Sequence, residues 1–166
     1  MLCWKRIDEG LPEAGEAEKL YLRSFPEHER RPFAELLEGW GGKIELLAFY
    51  EQERFCGFAF LLTSLAITHI IYLAVEEPLR NQGVGSRMLE AVRAYRPGHR
   101  IIVDIERQTP VAVNNEQRRL RKEFYLRNGY AETRVRYRWN REEYEILSQG
   151  GDLSEAEFDA FWDSID

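Results

Sequence analysis

The chain has 166 residues, 44% apolar and 13% aromatic, with a formal net charge of −6. That length supports one well-buried core and is short for two, and no Pro/Gly/Ser-rich linker interrupts it, so a single domain over residues 1–166 is expected. The negative charge argues against a general nucleic-acid binder, and no stretch reaches the ~18 apolar residues that span a bilayer. Without a secretory-type apolar run at its start, the sequence points to the cytoplasm, with neither membrane nor nucleic acid as a partner.

Apolar alternation marks strands and 3.6-residue spacing marks helices. "MLCWKRI" reads as a first strand. "LPEAGEAEKLYLRSF" spaces Ala14, Ala17, Leu20 and Tyr21 on a helical face, stopped by Pro26, and a second helix covers Pro32 to Trp40, ended by Gly41-Gly42. "KIELLAFYE" and "RFCGFAFLLTS" flank a polar turn at Gln52 and Glu53, and "AITHIIYLAV" follows, which reads as an antiparallel meander. Then come a helix from Gly83 to Tyr95, the strand "HRIIVDIE", a helix from Glu116 to Asn128, and the strands "YAETRVRYRW" and "REEYEILS". A short amphipathic helix carrying Phe158, Phe161 and Trp162, with Leu153 beside it, closes the chain.

Cys3 and Cys56 form no CxxC pair, and His28, His69 and His99 stand apart from them and from one another, so no metal is expected. Charge is uneven. "RRLRKEFYLR" is basic and "GDLSEAEFDAFWDSID" acidic. A basic run is either a solvated helix face or, in an acidic protein, a receiver for an anionic cofactor.

The stretch "AVEEPLRNQGVGSRML" joins the fourth strand to the third helix. The element order is not the βαβα alternation of a dinucleotide-binding fold, and Met88 stands where the third glycine of that fingerprint belongs. No P-loop pattern is present. What remains is a helix amino terminus with unpaired N–H donors, where Gly83 and Gly85 remove Cβ atoms and Arg80, Gln82 and Ser86 add donors. Such a loop either holds an anion or uses its glycines only for turn geometry.

"RNQGVG" fits the R/QxxGxG/A signature of the GNAT N-acetyltransferase superfamily, and "YLAV", "SRMLEAVRAY" and "RRLRKEFYLRNGY" resemble the flanking strand, helix and second motif of that family. The resemblance covers most of the chain. It implies an α/β (α+β) fold: a mixed, mostly antiparallel central sheet flanked by helices and splayed between its fourth and fifth strands. It also implies acetyl-CoA as cosubstrate, with the pyrophosphate on the amides of Gln82, Gly83, Val84, Gly85 and Ser86 and with Arg80 and Asn81 beside them. The pantetheine arm would pair with Leu73, Ala74 and Val75, where a backbone N–H would polarise the thioester carbonyl.

By the same resemblance Tyr125 would protonate the departing CoA thiolate, a reasonable task for a phenol of pKa ~10. Leu120 and Phe124 are spaced as the apolar stripe of its helix, which turns Tyr125 ~100° away, free for chemistry or half-buried in packing. One departure stands out. The family's pantetheine-contacting asparagine falls on Arg118, and Asn115 is either a displaced substitute or the helix N-cap.

Amine attack on a thioester requires the neutral amine, hence a base or a water relay. Glu106, at the end of the fifth strand, is the first candidate; Glu76 and Glu77 follow. "SFPEHERRPF" lies where the superfamily covers its acceptor, so His28, Glu29 and Arg30, with Glu76, are expected to bind it unless the stretch is only a turn set by Pro26 and Pro32. The implied reaction is acetyl transfer to a primary amine, on a small molecule or on a protein or peptide, by direct attack in a ternary complex. No cysteine occupies a motif position that would suggest an acyl-enzyme. A catalytically silent acyl-CoA-binding or regulatory module of the same fold is the alternative, and the assembly is expected to be a monomer or homodimer.

Overall fold

The most continuous apolar runs become the most deeply buried strands. In the computed structural model, which describes residues 1–7 and 12–165, β2 (Ile44–Glu51) and β3 (Arg54–Ser64) are buried along most of their lengths. They are preceded by β1 (Leu2–Ile7), α1 (Pro12–Ser24) and α2 (Phe33–Gly42) and followed by β4 (Ile67–Val75) and α3 (Val84–Tyr95). Then come β5 (Arg100–Glu106), α4 (Asn115–Arg127), β6 (Ala131–Trp139), β7 (Glu142–Gln149) and α5 (Glu155–Ile165). The strand order β1-β2-β3-β4-β5-β7-β6 is that of a mixed, mostly antiparallel sheet, as expected. Leu11, where the first helix was expected to begin, lies outside the described residues. The second helix runs through Gly41 instead of stopping before it, and ends at Gly42 with φ +81°.

The chain forms two compact units, Met1–Thr63 with Ile70–Pro97, and Ser64–His69 with Gly98–Asp166. They interleave along the sequence. β4 changes unit between His69 and Ile70, in the strand beside which the sequence predicts the sheet to splay.

In the first unit β1 pairs antiparallel with β2 from Leu2↔Glu51 to Ile7↔Leu46, and β2 with β3 from Ile44↔Leu62 to Glu51↔Arg54. Gln52 and Glu53 both have positive φ, the geometry of a two-residue hairpin turn whose twist suits its strands. A bulge falls where Phe49 opposes Gly57 and Tyr50 opposes Phe55, leaving Cys56 as the extra residue. Tyr21, Phe58 and Phe60 pack edge to face in the core, joined by Leu20 and Leu36.

The second unit places β7 between β5 and β6, antiparallel to both. Ile101, Ile102, Val103, Ile105, Ile146 and Leu147 supply its buried strand core. Its last helix starts with a reciprocal cap: Glu157 N–H donates to Ser154 Oγ at 3.1 Å and Ser154 N–H to Glu157 Oε1 at 3.0 Å. Phe158, Phe161 and Ile165 of α5 are buried, as is Leu153 just before it.

Helix α4 corrects the expected stripe. Leu120 is 51% exposed, whereas Arg118 and Tyr125, seven residues apart, are its buried positions. Periodicity counted the apolar residues, but a buried ion-pair network draws a charged residue inward and rotates the helix accordingly.

Candidate active site

The first unit carries the glycine loop. Gly83 is the N-cap residue of α3 at φ +78°, and no side chain caps the helix, so its first-turn amides have no partner supplied by a capping residue. The left-handed backbone at Gly83 favours glycine, and Asn81, of the next most tolerant residue type, shares that region at φ +63°. Three long side chains brace the loop. Arg80 Nε donates to Val75 O at 3.1 Å, Gln82 Nε2 to Pro78 O at 3.0 Å, and Arg87 Nη2 pairs with Glu51 Oε2 at 3.1 Å. Arg87 was not picked out from the sequence, although it lies four residues after Gly83, one helical turn on. Arg80 and Arg87, the latter paired with Glu51, thus flank the positive end of α3.

Val84 is buried as the first apolar anchor of α3, while Gly85 and Ser86 are half-exposed. Upstream, Leu73 and Val75 are half-exposed and Ala74 is buried. A Cβ on Gly57 would lie 2.3 Å from Ala74 O, so β3 and β4 touch here at a distance only glycine permits. The isolated "CGF" in a strand pattern was the signal that could have found it.

Of the acceptor-binding candidates of this unit, Glu76 directly follows β4. Glu76 is held by Arg23 of α1 through two contacts of 3.1 Å. Residues Glu27–Glu29 form a single 3₁₀ turn, in which His28 is exposed and Glu29 half-buried. Tyr72 donates its hydroxyl to Glu29 O at 2.7 Å, and Tyr21 donates to Arg31 O at 2.7 Å. Arg30, half-buried, closes the turn by donating its amide to Glu27 O at 3.2 Å. Glu77 is exposed at the start of a second 3₁₀ turn, Glu77–Leu79.

The second unit carries the remaining expected residues. Tyr125 is buried, and burial pushes its hydroxyl up to about 12, with Arg121 opposing and Asp104 adding to the rise. Glu106, at the end of β5, is held by Arg118 at 2.8 Å and more loosely by Arg121 at 3.6 Å. Arg118 is fully engaged: Nε donates to Asn114 Oδ1 at 2.8 Å, Nη1 to Arg107 O at 2.9 Å, and the same guanidinium also grips Glu142. The family's asparagine position is thus a buried structural arginine.

Asn115 corrects its expected N-cap role. The N-cap of α4 is Asn114, and Asn115 Oδ1 instead accepts from Thr109 N–H at 2.7 Å, tying the preceding turn.

One further cluster was missed. His69 is 2% exposed, with Nε2 3.5 Å from Asp104 Oδ1, and the Tyr137 hydroxyl donates to Asp104 Oδ2. Burial pushes the Asp104 carboxyl up, but His69 and Tyr137 outweigh it and hold it below the ordinary carboxylate range. The ring of His69 packs against the edges of Phe161 and Trp162 on α5. A cavity of about 530 Å³ beside β6 and β7, lined by Gly129, Thr133, Arg134, Ser148 and Gly151 among others, contains none of the expected residues. Among the described residues no cluster of three or more His, Cys, Asp or Glu could hold a metal ion.

The family model of the acetyltransferase (GNAT) domain matches residues 43–132, more than half of the chain and the stretch that holds both the glycine loop and Tyr125. The chain belongs to the GNAT family. As a member of this family it is an acyltransferase whose general reaction is acetyl transfer. No curated protein matches the sequence. Among solved structures, this GNAT chain is similar to a protein assigned to the same family from Bacteroides thetaiotaomicron, with a TM-score of 0.81 at 20% identity, covering 98% of this chain and 94% of that one. It is similar to an aminoglycoside 6'-N-acetyltransferase complexed with coenzyme A, with a TM-score of 0.69 at 17% identity, covering 89% and 96%. It also resembles a GNAT acetyltransferase from Elizabethkingia anophelis with acetyl-CoA bound, with a TM-score of 0.61 at 17% identity, covering 92% and 98%. At these identities the likeness is one of fold. Among the described residues, no helix of the GNAT chain is long and apolar enough to cross a membrane.

Proposed function

We propose that the chain is an acetyl-CoA-dependent N-acetyltransferase that passes an acetyl group to a primary amine by direct attack in a ternary complex. The observation that carries this reading is the uncapped start of α3, with Gly83 at φ +78° and Arg80 and Arg87 beside it. The amides of Gln82 to Ser86 would bind the pyrophosphate, and Leu73, Ala74 and Val75 would pair with the pantetheine. The acyl group supplies the electrophilic thioester carbon. A β4 backbone N–H would polarise its carbonyl.

By its place in the second motif, Tyr125 would serve the departing sulfur. With its hydroxyl raised to about 12 it stays protonated throughout the physiological range. Full proton transfer from such a phenol to a thiolate of ordinary pKa ~8.5 is uphill by roughly 3.5 units. Its contribution is therefore a hydrogen bond that strengthens as charge develops on sulfur, while the proton lost by the attacking amine completes the thiol. Glu106 is the proposed base: before attack it would take the proton of the ammonium form and pass it to solvent, so that the neutral amine's own N–H proton is left to complete the thiol. Oε1 is the oxygen with room to accept, since its contact with Arg121 is the longer of the two.

A silent acyl-CoA-binding module is the second reading, favoured by the two arginines that already hold Glu106. Calorimetry with acetyl-CoA on the wild type and Gly83→Glu tests the cofactor site. Binding by the wild type and its loss in the variant are expected, and equal affinity would remove the assignment. Free CoA thiol released on adding an amine panel (spermidine, an aminoglycoside, a peptide with a free amino terminus) distinguishes the enzyme from the silent module.

A further inference from the structure

The end of α1 and the segment between α1 and α2 are fastened to the carboxyl half of β4 and to Glu76 just beyond it. Arg23, in the last turn of α1, grips Glu76 just beyond β4 with two contacts of 3.1 Å. Four residues after Arg23 the segment enters its 3₁₀ turn at Glu27, and at the end of that turn Tyr72 Oη donates to Glu29 O at 2.7 Å. Tyr21 Oη donates to Arg31 O and accepts from Arg31 N–H, both at 2.7 Å. The rings stack the fastening: Tyr72 meets Tyr21 edge-on at 5.0 Å and Phe25 at 4.9 Å. Burial, then the neighbouring Tyr21 hydroxyl, raises the Tyr72 pKa, so its donor proton is retained at neutral pH. Residues 27–31 are thus held by Tyr72 at Glu29 and by Tyr21 at Arg31, while Arg23 fastens the end of α1, just before them, to Glu76; Leu73, Ala74 and Val75 lie between Tyr72 and Glu76.

The geometry points to Tyr72 as a positioning residue: its hydroxyl holds segment 27–31 over the acyl end of β4 and so keeps water from competing with the acceptor amine. This rests on the reading of Leu73 to Val75 as the pantetheine strand. When the segment is released, water adds to the thioester carbonyl carbon and the C–S bond breaks. The products are acetate, CoA thiol and a proton given to solvent.

Tyr72→Phe keeps the ring and its packing and removes only the hydroxyl. Without any amine, it is expected to hydrolyse acetyl-CoA roughly three- to tenfold faster than the wild type, the equilibrium equivalent of one lost neutral hydrogen bond. By hydrogen exchange, the amides of Glu29, Arg30 and Arg31 should lose protection by a similar factor, while calorimetry with acetyl-CoA gives an unchanged Kd. Arg23→Gln, which opens the other fastening, should act in the same direction. Unchanged hydrolysis in both variants, or unchanged exchange at residues 29–31, overturns the proposal and leaves the acetyl-CoA site standing. Failure of the wild type to bind acetyl-CoA overturns both.

Discussion

Arg118 illustrates how much one buried side chain decides. It is 5% exposed and satisfies its guanidinium with Glu106, Glu142, Asn114 and the Arg107 carbonyl. Removing one partner of such a network strands buried charge, so Arg118→Ala is expected to cost about 3–5 kcal/mol in denaturant unfolding, and Arg118→Met somewhat less, because its side chain fills volume that alanine leaves empty although Glu106 still loses its partner. Tyr125 gives a second expectation at this scale. Its hydroxyl is raised to about 12 in the folded chain, above the ~10 of an unfolded tyrosine. The stabilisation is complete below pH ~10 and is lost as pH rises toward 12, because only the unfolded chain ionises in that window; about 3 kcal/mol is at stake. The wild type should therefore lose stability more steeply than Tyr125→Phe between pH ~10 and ~12, as read by urea midpoints. In kinetics, Tyr125→Phe should lower turnover with acetyl-CoA affinity nearly intact. The sequence named Tyr125 by motif but put it off the buried face, since an ion-paired arginine pointing inward carries no hydrophobic signal.

Among elements, β3 and β4 meet most closely at Gly57, where an added Cβ would lie 2.3 Å from the Ala74 carbonyl. Gly57→Ala must push backbone against backbone, so a loss of about 1–3 kcal/mol is expected in urea unfolding, together with weaker acetyl-CoA binding if Ala74 belongs to the pantetheine strand. Strand limits were largely legible: "RFCGFAFLLTS" is β3 from end to end. Helix limits moved by one or two residues, as at Gly42 and Asn115, because caps depend on local hydrogen bonds that composition does not encode. The short-range cap at Ser154 and Glu157 is the instructive contrast, since both partners lie within one turn and the pattern is readable without the fold.

At the scale of the molecule, the acid limb of stability should fall largely on the second unit. Asp104 is held below the ordinary carboxylate range by His69 and Tyr137. Its contribution is present above pH ~4 and is lost as pH falls through the lower folded pKa, so Asp104→Asn should flatten the acid limb of a thermal-denaturation series. The sequence by itself determined the element order, the glycine loop and the family, because those depend on contiguous residues: apolar runs, a left-handed position that favours glycine, and motif spacing. Only the tertiary structure decided that Arg118 is a buried hub, that Glu106 is already paired, and that Tyr72 reaches Glu29 forty-three residues away. Each of these is a meeting of side chains from distant parts of the chain, and neither local propensity nor periodicity carries information about such partners.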